Sequence, residues 1–140
     1  MSADLTADQL TADQLKAACL ALNGAEETFP FGPETSVFKV GGKVFAISAL
    51  DGLPLKVSLK CDPDLAVRLR ADYPGITPGW HLNKRHWNTV LLDGSVPHRL
   101  VAELIEDSYD LIVAKLPRRQ QLALDWPGLH PGEATEADRA

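Results

Sequence analysis

The residue types best suited to chemistry concentrate in one short stretch, Trp80–Trp87, which reads WHLNKRHW. It contains two tryptophans, two histidines and two adjacent cations. Such a set offers three kinds of chemistry: imidazole ligands for a metal, aromatic rings that stack on bases, and cations that contact phosphates. We refer to this stretch as the 80–87 segment.

The backbone conformation of the 80–87 segment decides which of these side chains meet. A hairpin with Asn83-Lys84 as a two-residue loop would pair the two tryptophans on one face and the two histidines on the other, with Lys84 and Arg85 at the tip. Asn favours such a loop because it tolerates the left-handed conformation. The alternative is a short helical turn over 83–86. We favour the hairpin.

A metal or catalytic site in this segment is the less favoured interpretation. His81 and His86 would be neighbours, but a third ligand is missing nearby, and His98, Asp93 and Cys61 are the only further candidates. We also find no nucleophile with a base, no paired carboxylates and no phosphate-cradling loop at a suitable spacing. The sequence therefore predicts a protein that is not an enzyme and uses neither a metal nor a cofactor.

Cations on protruding loops suit a polyanion, because they can follow phosphates and release counterions. The tip of the 80–87 segment is one such loop, and lysines around the Gly41-Gly42 turn and on a predicted strand offer a second. The alternative, that these lysines are only solvated surface charges, stays open. The candidate nucleic-acid contacts are Asn83, Lys84, Arg85, Lys43, Lys56 and Lys60.

The remaining side chains of the segment are predicted to support it. Trp80 and Trp87 could stack on bases, but in so small a domain we favour a place in the core. Ser108 interrupts the apolar stripe of the last predicted helix, and with Tyr109 it is expected to hold the segment through hydroxyl hydrogen bonds. The predicted structural residues are Trp80, His81, His86, Trp87, Ser108 and Tyr109.

The elements that position these residues follow from hydrophobic spacing and from start signals. Thr11 with Gln14 has the capping-box spacing, and Asp62-Pro63 is a strong helix opening. The predicted elements are a helix over 11–22, two strands within 36–48, a strand over 54–60, a helix over 63–72, the arms of the 80–87 hairpin continuing to 92, and a helix from 97 to about 116. This is an α+β two-layer sandwich with an antiparallel sheet, in the order α-β-β-β-α-β-β-α.

Two of these elements allow more detailed predictions. If Gly41-Gly42 is the hairpin turn, Phe38 faces Phe45, and Val40 shares the core face of the sheet with Ile47. The last helix should lie across the sheet with its apolar stripe inward. Its solvent-side charges are Glu103, Glu106, Asp107 and Asp110.

Charge is unevenly distributed along the 140 residues, whose formal net charge is −5. Residues 1–15 and 125–140 each carry −3, which leaves 16–124 at +1. This near-neutral middle neither demands nor excludes a polyanion partner. We expect a flexible N-terminal extension over 1–10, a single domain over 11–124 and an acidic, flexible tail over 125–140.

The expected compartment is the cytoplasm. No apolar stretch is long enough to span a membrane, and the N-terminus lacks the basic-then-apolar order of a secretory signal. Cys19 and Cys61 stand alone without a metal-binding or disulfide-type spacing, so both are predicted to be reduced packing residues.

The sequence resembles the MmcQ/YjbR-like family. The resemblance rests on the run PGWHLNKRHW at 78–87, on SYDLI at 108–112 and on FPFG at 29–32, and it covers roughly 11–122. It implies a frataxin-like (CyaY-like) sandwich and a DNA-binding role through exposed wing-like loops. The duplicated LTADQ at the N-terminus and the tail after Leu124 depart from the family's compact form.

Two functions are therefore expected from the sequence. The first is a DNA-binding module without catalysis, which uses the basic loops. The alternative is a protein-interaction module that uses the open sheet face or an edge strand, with the acidic tail and Trp126 as accessory contacts.

Overall fold

Six strands and four helices follow one another along the part of the chain that the computed structural model describes, residues 10–79 and 82–126. They are α1 (Ala12–Leu20), β1 (Glu26–Thr28), β2 (Ser36–Val40), β3 (Lys43–Ser48), β4 (Lys56–Lys60), α2 (Pro63–Asp72), β5 (Ile76–Pro78), β6 (Trp87–Leu91), α3 (His98–Val113) and α4 (Arg118–Ala123). The α+β class is confirmed.

All six strands form one antiparallel sheet in the order β1-β2-β3-β4-β6-β5. Helices α1, α2 and α3 contribute to a single apolar core on one face of this sheet. The other face, which we call the open face, has no helix among the described residues packed on it. The predicted antiparallel sheet is confirmed.

The observed order of elements is longer than the predicted one. It adds β1 before the hairpin and the short α4 after α3, and it places β5 at 76–78 rather than inside the 80–87 segment. Strand β1 has no alternating pattern, since its sequence is EET, and it exists because Glu26 and Thr28 pair with Lys39 and Val37 of β2. Such an edge strand depends on its neighbour rather than on its own hydrophobicity.

Both predicted helix starts are confirmed. Thr11 Oγ1 accepts from the Gln14 amide at 3.1 Å while Gln14 Oε1 accepts from the Thr11 amide at 2.9 Å, which is a complete capping box. Asp62 Oδ2 accepts from the Leu65 amide at 3.2 Å and begins α2, whose bounds match the prediction.

The hairpin turn is confirmed, but its register is not. Gly41 and Gly42 have φ of +58° and +79°, and they connect Val40 to Lys43 as expected. Further along, Phe38 pairs with Ala46 instead of Phe45, because the register shifts between Phe38 and Lys39. The predicted Phe38–Phe45 pair is therefore wrong.

This shift is a β-bulge in β3 that changes the face of every later residue in the strand. Phe45 and Ala46 are both fully buried against the helices. Ile47 is turned to the open face, where it pairs with Ser58. The prediction that Ile47 shares the core with Val40 is wrong, since one extra residue reverses a period-two pattern.

The core extends slightly beyond the predicted domain. Leu10, expected in the flexible extension, is only 7% exposed and belongs to the apolar core. Trp126, expected in the tail, packs against the same core and donates its indole N–H to Asp110 Oδ1 at 2.8 Å. Asp125 is the one further described residue of the two predicted ends, since 1–9 and 127–140 lie outside the described residues.

Both cysteines are free thiols buried in the core. Burial is the main cause that raises the pKa of Cys19 to about 12 and that of Cys61 to about 11. Thiols of this kind are weak nucleophiles, as expected for packing residues. Among the described helices, none combines the length and the apolar character required to cross a membrane.

Candidate nucleic-acid interface

The described part of the 80–87 segment forms a single turn over 83–86. The Asn83 carbonyl accepts from the His86 amide at 3.2 Å, and Asn83 Oδ1 accepts from the Arg85 amide at 2.9 Å. This is an Asx-type turn, in which the side chain replaces a backbone acceptor. The predicted two-residue hairpin is therefore wrong, and the alternative of a short turn is correct.

The strand pairing places this turn in a longer connection. Strands β5 and β6 pair as Pro78 with Asn88, so the chain crosses between them over 79–86. Trp80 and His81 lie outside the described residues, and so do the predicted pairs of Trp80 with Trp87 and of His81 with His86. In the described stretches, no group of three or more His, Cys, Asp or Glu is placed to hold a metal.

Three backbone contacts attach the connection to its neighbours. The His86 carbonyl accepts from the Cys61 amide at 2.7 Å, and the Lys84 carbonyl accepts from Arg70 Nη1 at 3.3 Å. The Trp87 carbonyl accepts from the Gly79 amide at 2.8 Å. A side chain at position 79 would not fit here, because its Cβ would lie 2.8 Å from the Trp87 Cβ. The end of β4 and helix α2 thus fix the position of the turn.

Three lysines meet at the same end of the sheet as this turn. Lys60 is the last residue of β4, Lys43 begins β3 and Lys115 follows α3. Burial is the largest cause that lowers the pKa of Lys60, and the charges of Lys115 and Lys43 lower it further. We call these residues the lysine cluster. Within residues 10–79 and 82–126, none of them forms an ion pair with a carboxylate.

Ser108 explains why the lysine cluster forms. Its buried hydroxyl donates to the Phe45 carbonyl at 2.6 Å and accepts from the Lys60 amide at 2.9 Å. It thereby bridges β3 and β4 next to the bulge and ties α3 to both strands. Lys115 follows Ser108 by two helical turns and is carried to the same end, next to Lys60.

This arrangement corrects the role predicted for Ser108 and Tyr109. Neither hydroxyl contacts the described part of the 80–87 segment. Tyr109 Oη donates to the Asn23 carbonyl at 2.7 Å, and its ring meets Phe45 edge-on with centroids 5.6 Å apart. Ser108 ties α3 to the sheet, including the end of β4 next to the described part of the segment, and Tyr109 holds the end of α1.

The structure brings most of the predicted contacts together. Lys60 pairs with Trp87, the residue that follows the 83–86 turn, so the lysine cluster and the turn share one end of the sheet. Asn83, Lys84 and Arg85 are exposed there. Lys56 does not join them, because it pairs with Leu91 at the opposite end. The prediction that Lys56 and Lys60 share one face of a strand is confirmed, but the two residues lie at opposite ends of β4.

Two basic residues of this region were not predicted. Lys115 could have been found from helical periodicity, since it lies seven positions after Ser108 on the same stripe. Arg70 gave no such signal, because its contact with the Lys84 carbonyl depends on where the long connection lies.

The open face contains a shallow depression of about 830 Å³. Hydroxyl groups dominate its polar lining, and Ser58 Oγ and Thr89 Oγ1 lie 2.9 Å apart at its centre. Its lining residues are Thr35, Ile47, Ser48, Ala49, Lys56, Ser58, Thr77, Pro78 and Thr89.

The acidic residues predicted on the solvent side of α3 are confirmed there. All four are exposed, and they are Glu103, Glu106, Asp107 and Asp110. Burial raises the pKa of Asp107, and the charges of the other three raise it further, Asp110 most of all. The outer side of α3 is therefore acidic, while the basic groups described above lie at one end of the sheet.

Comparison with known proteins agrees with this architecture. The YjbR family model matches residues 20–111. The chain is 42% identical over 107 residues to YbdF of Escherichia coli O157:H7, covering 76% of this chain and 87% of that protein. It is 36% identical over 116 residues to YjbR of Escherichia coli strain K12, covering 82% and 98%.

Solved structures show the same likeness. The crystal structure of the Deinococcus radiodurans protein DR2400 superposes with a TM-score of 0.80 at 42% identity, covering 89% of this chain and 94% of that one. A Pseudomonas syringae protein superposes with a TM-score of 0.55 at 32% identity, covering 62% and 86%. With a family match over most of the described domain and two relatives of this identity, the chain belongs to the YjbR family.

Proposed function

We propose that this protein binds DNA without catalysis, through the lysine cluster and the exposed turn at Asn83–Arg85. The observation that carries the proposal is the lysine cluster itself, in which three ammonium groups share one end of the sheet with no carboxylate partner among the described residues. The frataxin-like (CyaY-like) relationship, the wing-like role of the two basic loops and the cytoplasmic location belong to the same proposal.

Crowding like charges has an energetic cost that a polyanion would remove. Partial burial and, after it, the neighbouring ammonium groups oppose the charged form of Lys60, which lowers its pKa. Phosphate oxygens near the cluster would stabilise that charged form and displace condensed counterions from the DNA. The three charges that repel one another in the free protein would therefore stabilise its complex with DNA.

The two loops supply the geometry for a shared contact. The Gly41-Gly42 turn leads into Lys43, and its backbone lies against Leu116 and Gln120 at the end of the helix layer. The 83–86 turn presents Lys84 and Arg85 on the other side of Lys60. Phosphate contacts from both loops would set the orientation of the DNA without reading its sequence.

The test is the salt dependence of duplex binding, measured by the fluorescence anisotropy of a labelled duplex. For the unmodified protein, the logarithm of the association constant should fall linearly with the logarithm of salt concentration. Lys84→Ala should reduce the slope by about one, and joint replacement of Lys43, Lys60 and Lys115 by alanine by about three.

Arg99→Ala is the matched control, because Arg99 is an exposed cation in the first turn of α3, at the other end of that helix from Lys115. Its slope should equal that of the unmodified protein. Binding that ignores salt, or an equal loss in the control and the cluster variant, would contradict the proposal.

The alternative function is a protein-interaction module. It is favoured by exposed aromatic side chains beside the edge strand β1, where Phe29 is 49% and Phe31 is 74% exposed. Such residues are typical of contact surfaces. Replacing both by serine should abolish capture of a specific protein if this alternative holds, and it should leave duplex binding unchanged if the DNA proposal holds.

A further inference from the structure

We propose that the preferred ligand is single-stranded DNA, laid across the open face with its backbone at the lysine cluster and a base stacked on Trp87. This inference rests on the proposed function and specifies its substrate. It assigns a role to the open face, which the duplex contacts described above leave unused.

The open face offers an uncharged path across the sheet. The strand pairing aligns one accessible residue from each of four strands into a row: Ile47, Ser58, Thr89 and Thr77. The row ends at Val37 of β2, which is fully buried. Neighbouring strands are about 4.8 Å apart, so the row spans roughly 14 Å, which suits a short stretch of a single strand.

Charges on the strands of this face complement a polyanion. By alternation and pairing, Lys39 and Lys56 lie on the open side, and Glu26 is the only carboxylate among the described strand residues there. The acidic residues of α3 lie on the helix layer, beyond the core. A negatively charged backbone would therefore be attracted to the open face and repelled from the outer side of α3.

Trp87 connects this face to the lysine cluster. It is half-buried, it alternates with the buried Asn88 and Val90, and its strand partner is Lys60. An aromatic ring next to grouped cations is the arrangement that binds a base and its phosphate together. Stacking of a base on Trp87 is the second of the two roles that the sequence suggests for this residue.

The depression continues the path beyond Trp87. It is lined by hydroxyl groups that can donate to and accept from base edges, among them Ser58, Thr77 and Thr89. The exposed rings of Phe29 and Phe31 precede Thr35, which lines the depression at its far side. A duplex would present phosphates to these groups and keep its base faces stacked inside, so they suit an unpaired strand.

The experiment compares a labelled oligothymidine of roughly 12 nucleotides, which cannot pair with itself, with a duplex of the same length. The unmodified protein should bind the single strand at least about tenfold more tightly. Trp87→Leu should weaken single-strand binding by about tenfold, as expected for the loss of one stacked base, and leave duplex binding unchanged.

A second variant keeps the test informative if Trp87→Leu fails to fold. Thr89→Glu places a negative charge in the centre of the open face, away from the lysine cluster, and should also reduce single-strand affinity by about tenfold or more. Ala102→Glu adds the same charge on the exposed side of α3 and is the matched control. It should leave both affinities unchanged.

The outcomes separate the two proposals. If neither oligonucleotide binds, the proposed function fails and this inference with it. If the duplex binds equally well or better and Thr89→Glu binds the single strand normally, the inference is overturned while DNA binding stands. If the protein is instead a dimer that Thr89→Glu dissociates and the single strand does not bind, the face belongs to a second copy and the inference is also overturned.

Discussion

The lysine cluster and the acidic surface of α3 both crowd like charges, but the cluster lies at one end of the sheet and the carboxylates lie along the outer side of the helix. At the sheet end, burial and then the neighbouring ammonium groups lower the pKa of Lys60, and on the helix, burial and then the neighbouring carboxylates raise the pKa of Asp107. In both places folding opposes the charged form. The difference is the sign of the charge that would relieve the repulsion, since the cluster attracts a polyanion and the exposed carboxylates of α3 repel one.

The two groups of charges also differ in what brings their members together. The carboxylates on α3 are neighbours because residues three and four apart share a helix face. The lysines come from three separate places in the chain, and a buried hydroxyl of α3 connects two of their strands. A charge group of the second kind is easier to break by a single mutation, as the following predictions specify.

The largest effect is expected from Ser108→Ala. It leaves the Lys60 amide and the Phe45 carbonyl without their partner at a buried site, so the free energy of unfolding should fall by about 1–3 kcal/mol. Urea denaturation measures this loss. Ser95→Ala, which removes only an exposed bond to Asp93, should change stability much less. Equal losses would show that Ser108 has no special role in holding the strands.

Lys115→Glu should separate binding from stability. It replaces repulsion of Lys60 by attraction, so the free energy of unfolding should rise by up to about 1 kcal/mol while duplex affinity falls. Arg99→Glu makes the same change in net charge far from the cluster and should weaken binding less. Loss of stability together with loss of binding would mean that Lys115 is structural.

Asp107→Asn tests the acidic side of the comparison. Because the folded-state pKa of Asp107 is raised, its ionisation costs stability, and that cost appears as the pH rises through the window above its ordinary value of 3.8. The variant should melt at a higher temperature than the unmodified protein at neutral pH and at the same temperature below that window. Duplex binding at neutral pH should change little, since Asp107 lies on the helix layer.

Proton uptake should give the smallest signal. The folded-state pKa of Lys60 is lowered, so in the window below its ordinary value of 10.5 the unfolded chain holds more protons and stability rises with pH. Phosphates would raise this pKa again, so DNA binding in that window should take up protons. Calorimetry in two buffers of different ionisation enthalpy measures the uptake, and Lys60→Met should abolish it. Equal uptake by the variant would assign the proton to another group.

The predictions from sequence succeeded where the signal was local. The Thr11–Gln14 capping box, the Asp62 cap and the Gly41-Gly42 turn each depend on residues within a few positions of one another, and all are present. Their physical basis is a hydrogen bond or a backbone conformation that a short segment decides by itself. The fold class followed from these elements and from hydrophobic spacing.

The predictions failed where two local solutions competed. Asn83 was expected to take a left-handed hairpin position, but its side chain closes an Asx-type turn instead. Ile47 was placed in the core by strict alternation, which the bulge at Phe45 and Ala46 reverses. Either outcome is compatible with the local residues, and the choice depends on what the neighbouring strands and helices pack against them.

By itself the sequence determined the helix boundaries at their capped ends, the hairpin turn, the α+β class and the residue types of the candidate interface. Only the tertiary structure decided that Lys43, Lys60 and Lys115 meet and that Lys56 lies at the other end of β4 from them. The reason is that caps and turns act within a few residues, whereas a charge cluster is made by segments far apart in the chain. A bulge or a bridging serine can bring such segments together, but neither produces a periodic pattern in the sequence.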